Sequence, residues 1–285
     1  GTYRHNMFLF PVAEWLGGPW DLFLEHGHRL LGATVGLITL GLVVAVWRLP
    51  VEPRVRWLAV AALVLVVVQG GLGGARVLLD DTTVAKVHAC TGPLFFAVAV
   101  ALAALTRGPP TVEVPRVAIG LATAFPVAAY AQLVAGAQLR HLDPATRPSV
   151  FHVLVGTHVL MGLLVVGLGL AAAVATWKGR NPAARRWATT AAVLGMGQLC
   201  LGGATWLAKY GVPSAILPEA WRLSQPIVAR SGVGAMTVTA HAVLGMVILG
   251  VGVALAIAAV GRGTIAASSP PTVRRATGTA RGVLA

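Results

Sequence analysis

Four histidines, His28, His88, His158 and His241, sit at matching places in two halves of a very hydrophobic chain. The segment His28-Arg-Leu-Leu-Gly-Ala recurs loosely as His158-Val-Leu-Met-Gly-Leu, and His88-Ala-Cys-Thr-Gly recurs as His241-Ala-Val-Leu-Gly. A third pair of segments also matches, Gln69-Gly-Gly-Leu-Gly-Gly-Ala75 with Gln198-Leu-Cys-Leu-Gly-Gly-Ala204. Imidazole is costly to bury in lipid, so paired histidines at membrane depth point to ligation. With few other ligand types at that depth, the expected object is haem iron. For one histidine alone the competing reading is a hydrogen-bonded residue at a helix end, and repetition at four matched places argues against it.

The elements that must position these residues are membrane helices. The chain has 285 residues, 56% hydrophobic and 11% charged. That is the composition of a membrane protein. A net charge of +13 would suggest nucleic acid in a soluble protein. Here the basic residues fall in short loops between apolar runs, so no nucleic-acid partner is expected. Seven runs are long enough to span a bilayer, at about 22–47, 56–78, 84–106, 115–138, 149–176, 186–207 and 235–260. Their loops carry Pro50, Pro53, Pro109, Pro110, Pro182, Pro213 and Pro218 as punctuation.

The charges orient the runs. Arg48, Arg54 and Arg56 follow the first, Arg107 and Arg116 flank the third loop, and Lys178, Arg180, Arg185 and Arg186 follow the fifth. With Arg262, Arg274, Arg275 and Arg281 in the tail, that side holds 13 of the 22 basic residues. The positive-inside rule makes it cytoplasmic, with the C-terminus inside and residue 1 outside. The expected location is a bacterial-type cytoplasmic membrane.

The fold class expected is an all-α integral membrane protein. The first three runs match the last three, and both halves share one orientation, so the repeat is parallel. The fourth run, with Gln132-Leu-Val-Ala-Gly-Ala137, has no partner before the first. A pseudo-twofold eight-helix bundle of two four-helix halves would supply one. The expectation is therefore an N-terminally incomplete version of such a bundle, divided at 1–110 and 111–285; a native seven-helix protein is the alternative.

All four histidines fall near the outer starts of their helices. That argues against two haems stacked across the bilayer and for two sites side by side, His28 with His88 and His158 with His241. His26 lies about 200° round the helix from His28 and cannot share its face. His152 is off the face of His158, and His5 and His141 fall in outer loops. His26 and His152 are the substitutes if the helical register differs. Glu25 sits three residues before His28, on nearly the same face. Carboxylates at this depth are rare and usually functional, suited to proton transfer or to stabilising a cationic intermediate. The competing reading is an acid favoured by the helix dipole. Arg29 could pair with a haem propionate or simply snorkel to the interface. Val155 and Val159 stand at the matching places in the second half, so the chemistry is expected in the first. The Gly-rich motifs are weak signals that chiefly allow close packing, and Gln69, Gln132 and Gln198 at their heads are candidates for bonds between helices. Cys90 and Cys200 lie in or beside apolar runs, and no CxxCH occurs, so neither a disulfide framework nor covalent haem attachment is encoded.

Glu25-His-Gly-His28-Arg29 resembles the Glu-x-x-His-Arg motif of the haem A synthase family. The three later histidines and the Gln- and Gly-rich motifs between them extend the resemblance over nearly the whole chain. The opening Gly1-Thr-Tyr-Arg-His-Asn-Met-Phe-Leu-Phe resembles the stretch after that family's first transmembrane helix. The resemblance implies oxidation of the C8 methyl of haem O to the formyl of haem A by successive hydroxylations, for haem-copper oxidases. It implies a haem B cofactor on His158 and His241, and substrate haem near His28 and His88 with Glu25 in or beside the reaction. Implied partners are a haem O synthase, haem-copper oxidase assembly and a membrane electron donor, with a homo-oligomer left open. Two features depart from the family. Cys90 and Cys200 are not the outer-loop cysteine pair of many members, and Val159 stands where Arg is frequent. Two other readings remain: a bis-histidine membrane cytochrome that only passes electrons, and a haem carrier.

Overall fold

A computed structural model of the chain describes residues 10–107, 114–143, 145–211 and 232–260. Within them every regular element is a helix. A short α1 (Val12–Gly17) precedes seven long helices: α2 (Trp20–Arg48), α3 (Pro53–Leu79), α4 (Thr82–Thr106), α5 (Arg116–Arg140), α6 (Pro148–Trp177), α7 (Pro182–Tyr210) and α8 (Gly232–Val260). The seven are 25 to 30 residues long and apolar enough to cross a bilayer. All seven expected spans are present, and their ends agree to within a few residues. The chain is an integral membrane helical bundle. Helix α1 was not expected: it is too short for an apolar repeat to announce it. The loop prolines Pro109, Pro110, Pro213 and Pro218, His5, and the basic tail lie outside the described residues.

Local chemistry explains where the helices begin. Pro53, Pro148 and Pro182 occupy first-turn positions, where a missing N–H leaves nothing unpaired. Asp81 caps α4, its carboxylate accepting from the backbone N–H of Thr83 and of Val84. Those bonds hold the Asp81 carboxyl below its ordinary range. Asn181 caps α7 in the same way, accepting from Ala184 N at 3.0 Å. Its amide also donates to Ala258 O at 3.0 Å, fixing the start of α7 to the end of α8. Arg56 donates to Val46 O and Leu49 O, satisfying the last carbonyls of α2.

Neighbours in sequence pack as neighbours in space, but the two halves close differently. In the second half α5, α6, α7 and α8 form a ring, each packed on the next and α8 on α5. In the first half α3 stands between α2 and α4, and among the described residues no helix joins α4 back to α2. The halves meet where α4 lies against α5 and α8. Phe125 centres the second-half core with Val165, Ala191, Ile248 and Leu249. Gly169 and Gly252 make room for it: a Cβ added at Gly252 would lie 2.6 Å from the Phe125 ring. The first half has a smaller cluster, Val46, Val55, Ala59, Ala62 and Leu102, at the ends remote from the histidines.

Candidate functional site

The helix packing places each pair of histidines across a bundle interior rather than along one seam. Helices α6 and α8 do not pack closely on each other, yet His158 and His241 bring their ring centroids to 6.1 Å, at 67° between planes. Helices α2 and α4 are likewise separated by α3, and His28 and His88 approach to 6.4 Å at 87°. Two imidazoles on opposite sides of one metal ion, each bonded at about 2 Å, have centroids roughly 6 Å apart. Both pairs therefore have the spacing a shared iron needs. His88, His158 and His241 each keep a buried ring nitrogen, Nδ1, without a hydrogen-bond partner. Buried polar atoms are normally satisfied, so unpartnered nitrogens on facing rings fit a ligand. Among the described residues no cluster of three or more His, Cys, Asp or Glu occurs, so each site has two protein ligands at most of these types.

The rings are held by contacts that sequence reasoning undervalued. Each of α3, α5 and α7 carries a Gln with a Gly four residues later: Gln69 and Gly73, Gln132 and Gly136, Gln198 and Gly202. Gln69 Nε2 donates to His88 O at 3.0 Å, and Gln198 Nε2 donates to His241 O at 2.9 Å. Gln132 Nε2 lies 3.4 Å from His158 Nε2. The glycines meet the imidazoles: a Cβ at Gly73, Gly136 or Gly202 would lie 3.1–3.2 Å from Cε1 of His88, His158 or His241. The i, i+4 spacing of Gln and Gly, repeated three times, was the signal that could have revealed this role. Gln69 and Gln198 thus make the expected bonds between helices, and Gln132 contacts the His158 ring directly.

His26, the first substitute ligand, is only 3% exposed and is turned away from the pair. It packs against Phe10 at 5.6 Å and edge-on to Trp15 at 5.1 Å. Helix α1 supplies Trp15, whose indole also donates to Phe23 O. His152 packs beside Phe151, 5.8 Å between centroids, in an aromatic group with Trp206 and Tyr210. His141 ends α5, where burial and then the Arg140, Arg76 and Lys86 charges lower its pKa. Glu25 and Arg29 form an ion pair one turn apart on α2, with Arg29 the better covered of the two. The partner of Arg29 here is Glu25, an arrangement neither sequence reading of Arg29 included. Cys90 and Cys200 are free thiols. A surface cleft of about 670 Å³ at the far ends of α6 and α7, lined by Trp177, Arg185 and Arg186, touches none of the four histidines.

The architecture is that of a membrane bundle with two facing histidine pairs, one in a closed ring of four helices and one in an open set of three. Residues 20–153 match the family described as cytochrome oxidase assembly protein, COX15-CtaA. The chain is also 37% identical over 137 residues to a heme A synthase of Symbiobacterium thermophilum, covering 43% of this chain and 45% of the relative. That match spans less than half of the relative's own length. No solved structure matches the chain. Both matches fall on the family that Glu25, His28 and Arg29 resemble. The family match takes in His28, His88, Gln69 and Gln132 and ends before His158, so the second pair rests on the internal repeat.

Proposed function

We propose that this chain is a haem A synthase that oxidises the C8 methyl of haem O to the formyl of haem A by successive hydroxylations. The observation that carries the reading is the asymmetry between two otherwise similar histidine pairs. Both have the spacing of a bis-imidazole iron site, but the pair His28 and His88 also has an acid and a guanidinium beside it on α2, Glu25 about one turn before His28 and Arg29 next to it, joined as an ion pair. That pair, with Glu25 and Arg29, also lies inside the stretch that matches the family.

In this reading residues 1–110 form the substrate half and 111–285 the cofactor half. Haem O is the substrate, held by His28 and His88, and haem A is the product. A resident haem B held by His158 and His241 supplies electron transfer when bound. The ring of α5 to α8 holds these two imidazoles and partly covers them. Glu25 is the catalytic acid–base group, accepting or returning a proton at its carboxylate beside the substrate. Arg29 keeps that carboxylate in place and offers a donor to a haem carboxylate. The partners proposed are a haem O synthase, the assembling haem-copper oxidase and a membrane electron donor. The proposed setting is the bacterial-type cytoplasmic membrane, with the histidine ends outside and the C-terminus in the cytoplasm.

The test is chromatography of haems extracted from the protein after co-expression with a source of haem O. Haem A or its hydroxylated precursor, beside haem B, is the expected result. The near-equal spacing of the two pairs favours a second reading, an electron-transfer cytochrome with two permanent haems. Haem B alone, at two per chain with haem O present, would establish that reading and exclude the synthase.

A further inference from the structure

We infer that the Gln-x-x-x-Gly pairs on α3, α5 and α7 are positioning devices that fix the orientation of His88, His158 and His241 as axial ligands. The inference rests on the haem-binding reading above. The arrangement is reciprocal in all three cases. The Gln of one helix lies against a Gly placed four residues after the histidine on the next: a Cβ at Gly92, Gly162 or Gly245 would sit 3.1, 3.1 or 3.4 Å from Nε2 of Gln69, Gln132 or Gln198. The histidine in turn lies against the Gly placed four residues after the Gln. Since i and i+4 share a helix face, each pair of helices presents a large polar group opposite a glycine at two successive levels.

These contacts go beyond close packing. Gly74 and Gly203 are next in sequence to Gly73 and Gly202, yet a Cβ there meets nothing within 4 Å. Among the glycines of these three Gln- and Gly-rich motifs, the tight ones are those under an imidazole. Gln69 and Gln198 hold the backbone carbonyl of the histidine itself, and Thr91 adds a hydroxyl bond to Gln69. A histidine whose backbone is tied and whose ring edge rests on a neighbouring helix has little freedom to turn about its side-chain bonds. The 67° between the His158 and His241 ring planes is then a property of the scaffold. Partners that orient a ligating imidazole tune the metal as well as hold it, and losing one costs about 10–100-fold in metal affinity.

The test uses the full chain purified with its haem in detergent. Gly202→Ala, Gln198→Leu and the neighbour control Gly203→Ala are compared with the parent by electron paramagnetic resonance of the ferric protein and by haem-to-protein ratio. The low-spin signal of a bis-imidazole haem depends on the angle between its two ring planes, so a turned ring moves it. Gly202→Ala is expected to shift that signal and to weaken haem retention by roughly tenfold. Gln198→Leu should act in the same direction without filling the cradle, and Gly203→Ala should match the parent. If Gly202→Ala does not fold, Gln198→Leu decides alone. A parent signal that His241→Ala abolishes, but that Gly202→Ala and Gln198→Leu leave unchanged, overturns the positioning role. A haem content and signal in His241→Ala equal to those of the parent overturn the ligand assignment beneath it.

Discussion

The two histidine pairs are close to superposable in kind and differ in their surroundings. His158 and His241 face each other inside a ring of four helices, and both are partly covered. His28 and His88 face each other at nearly the same distance, but His28 is exposed, and among the described residues α3 is the helix that packs on both α2 and α4. The closed half has aliphatic Val155 and Val159 where the open half has Glu25 and Arg29. Fixed geometry with apolar neighbours suits a permanent cofactor. The same geometry with one side open and a charged pair at its edge suits a ligand that enters, reacts and leaves. In the proposed reading the repeat supplies two similar ligand frames, and a few substitutions around one of them separate chemistry from electron supply.

The comparison breaks most readily at the ligands. His158→Ala or His241→Ala is expected to remove the second-half haem almost entirely while leaving the first site able to bind, as read by haem-to-protein ratio. His28→Ala should leave the second-half haem in place and abolish conversion of haem O. If either second-half variant keeps its full haem content, the two halves do not differ in the way described.

A sharper test separates binding from reaction. Glu25→Gln should leave haem content unchanged and lower haem A yield by roughly 10²–10⁴-fold, the range for loss of a general acid–base group. Val155→Glu in the other half should not create activity. An unchanged yield in Glu25→Gln would remove the functional contrast and favour two electron-transfer sites.

Packing gives a smaller contrast. Gly252→Leu would drive a side chain into Phe125 in the second-half core and should destabilise the protein by about 1–3 kcal/mol in reversible unfolding from detergent micelles. Gly36→Ala on the exposed α2 meets nothing and should be close to neutral. Equal effects at the two positions would contradict the tight and loose packing of the halves.

The smallest effect concerns pH. The folded pKa of His141 is lowered by burial and by Arg140, Arg76 and Lys86, so the unfolded chain binds its proton first. Stability should fall as pH drops below about 6.5, until the folded state also takes up the proton. His141→Gln should flatten that limb of a stability–pH profile. Asp81 has the opposite origin. Its folded pKa is lowered by backbone N–H groups of Val84 and Thr83, so its contribution is complete above roughly pH 4 and is lost on further acidification. A profile unchanged in His141→Gln would mean that this loop does not sense acid.

Much of this molecule is written along the chain, because a bilayer imposes its rules locally. About twenty apolar residues make a span wherever they occur, so α2 to α8 were legible one by one. Matched histidines in a twofold repeat also made the pairing legible, since equivalent helices must place equivalent residues at equivalent depth. The charged departures at Glu25 and Arg29 needed no structure to be seen. Helix α1 was not legible, because six residues carry too little periodicity, and its Trp15 packs edge-on against His26. The tertiary structure alone decided what the glycines do. Gly73 and Gly74, or Gly202 and Gly203, differ along the chain only in their spacing from the glutamine. The packing of α4 on α3, and of α8 on α7, is what puts Gly73 and Gly202 under an imidazole. The closure of α5 to α8 into a ring was decided at the same level, because it depends on which apolar faces meet, and apolar residues surround these helices on every side.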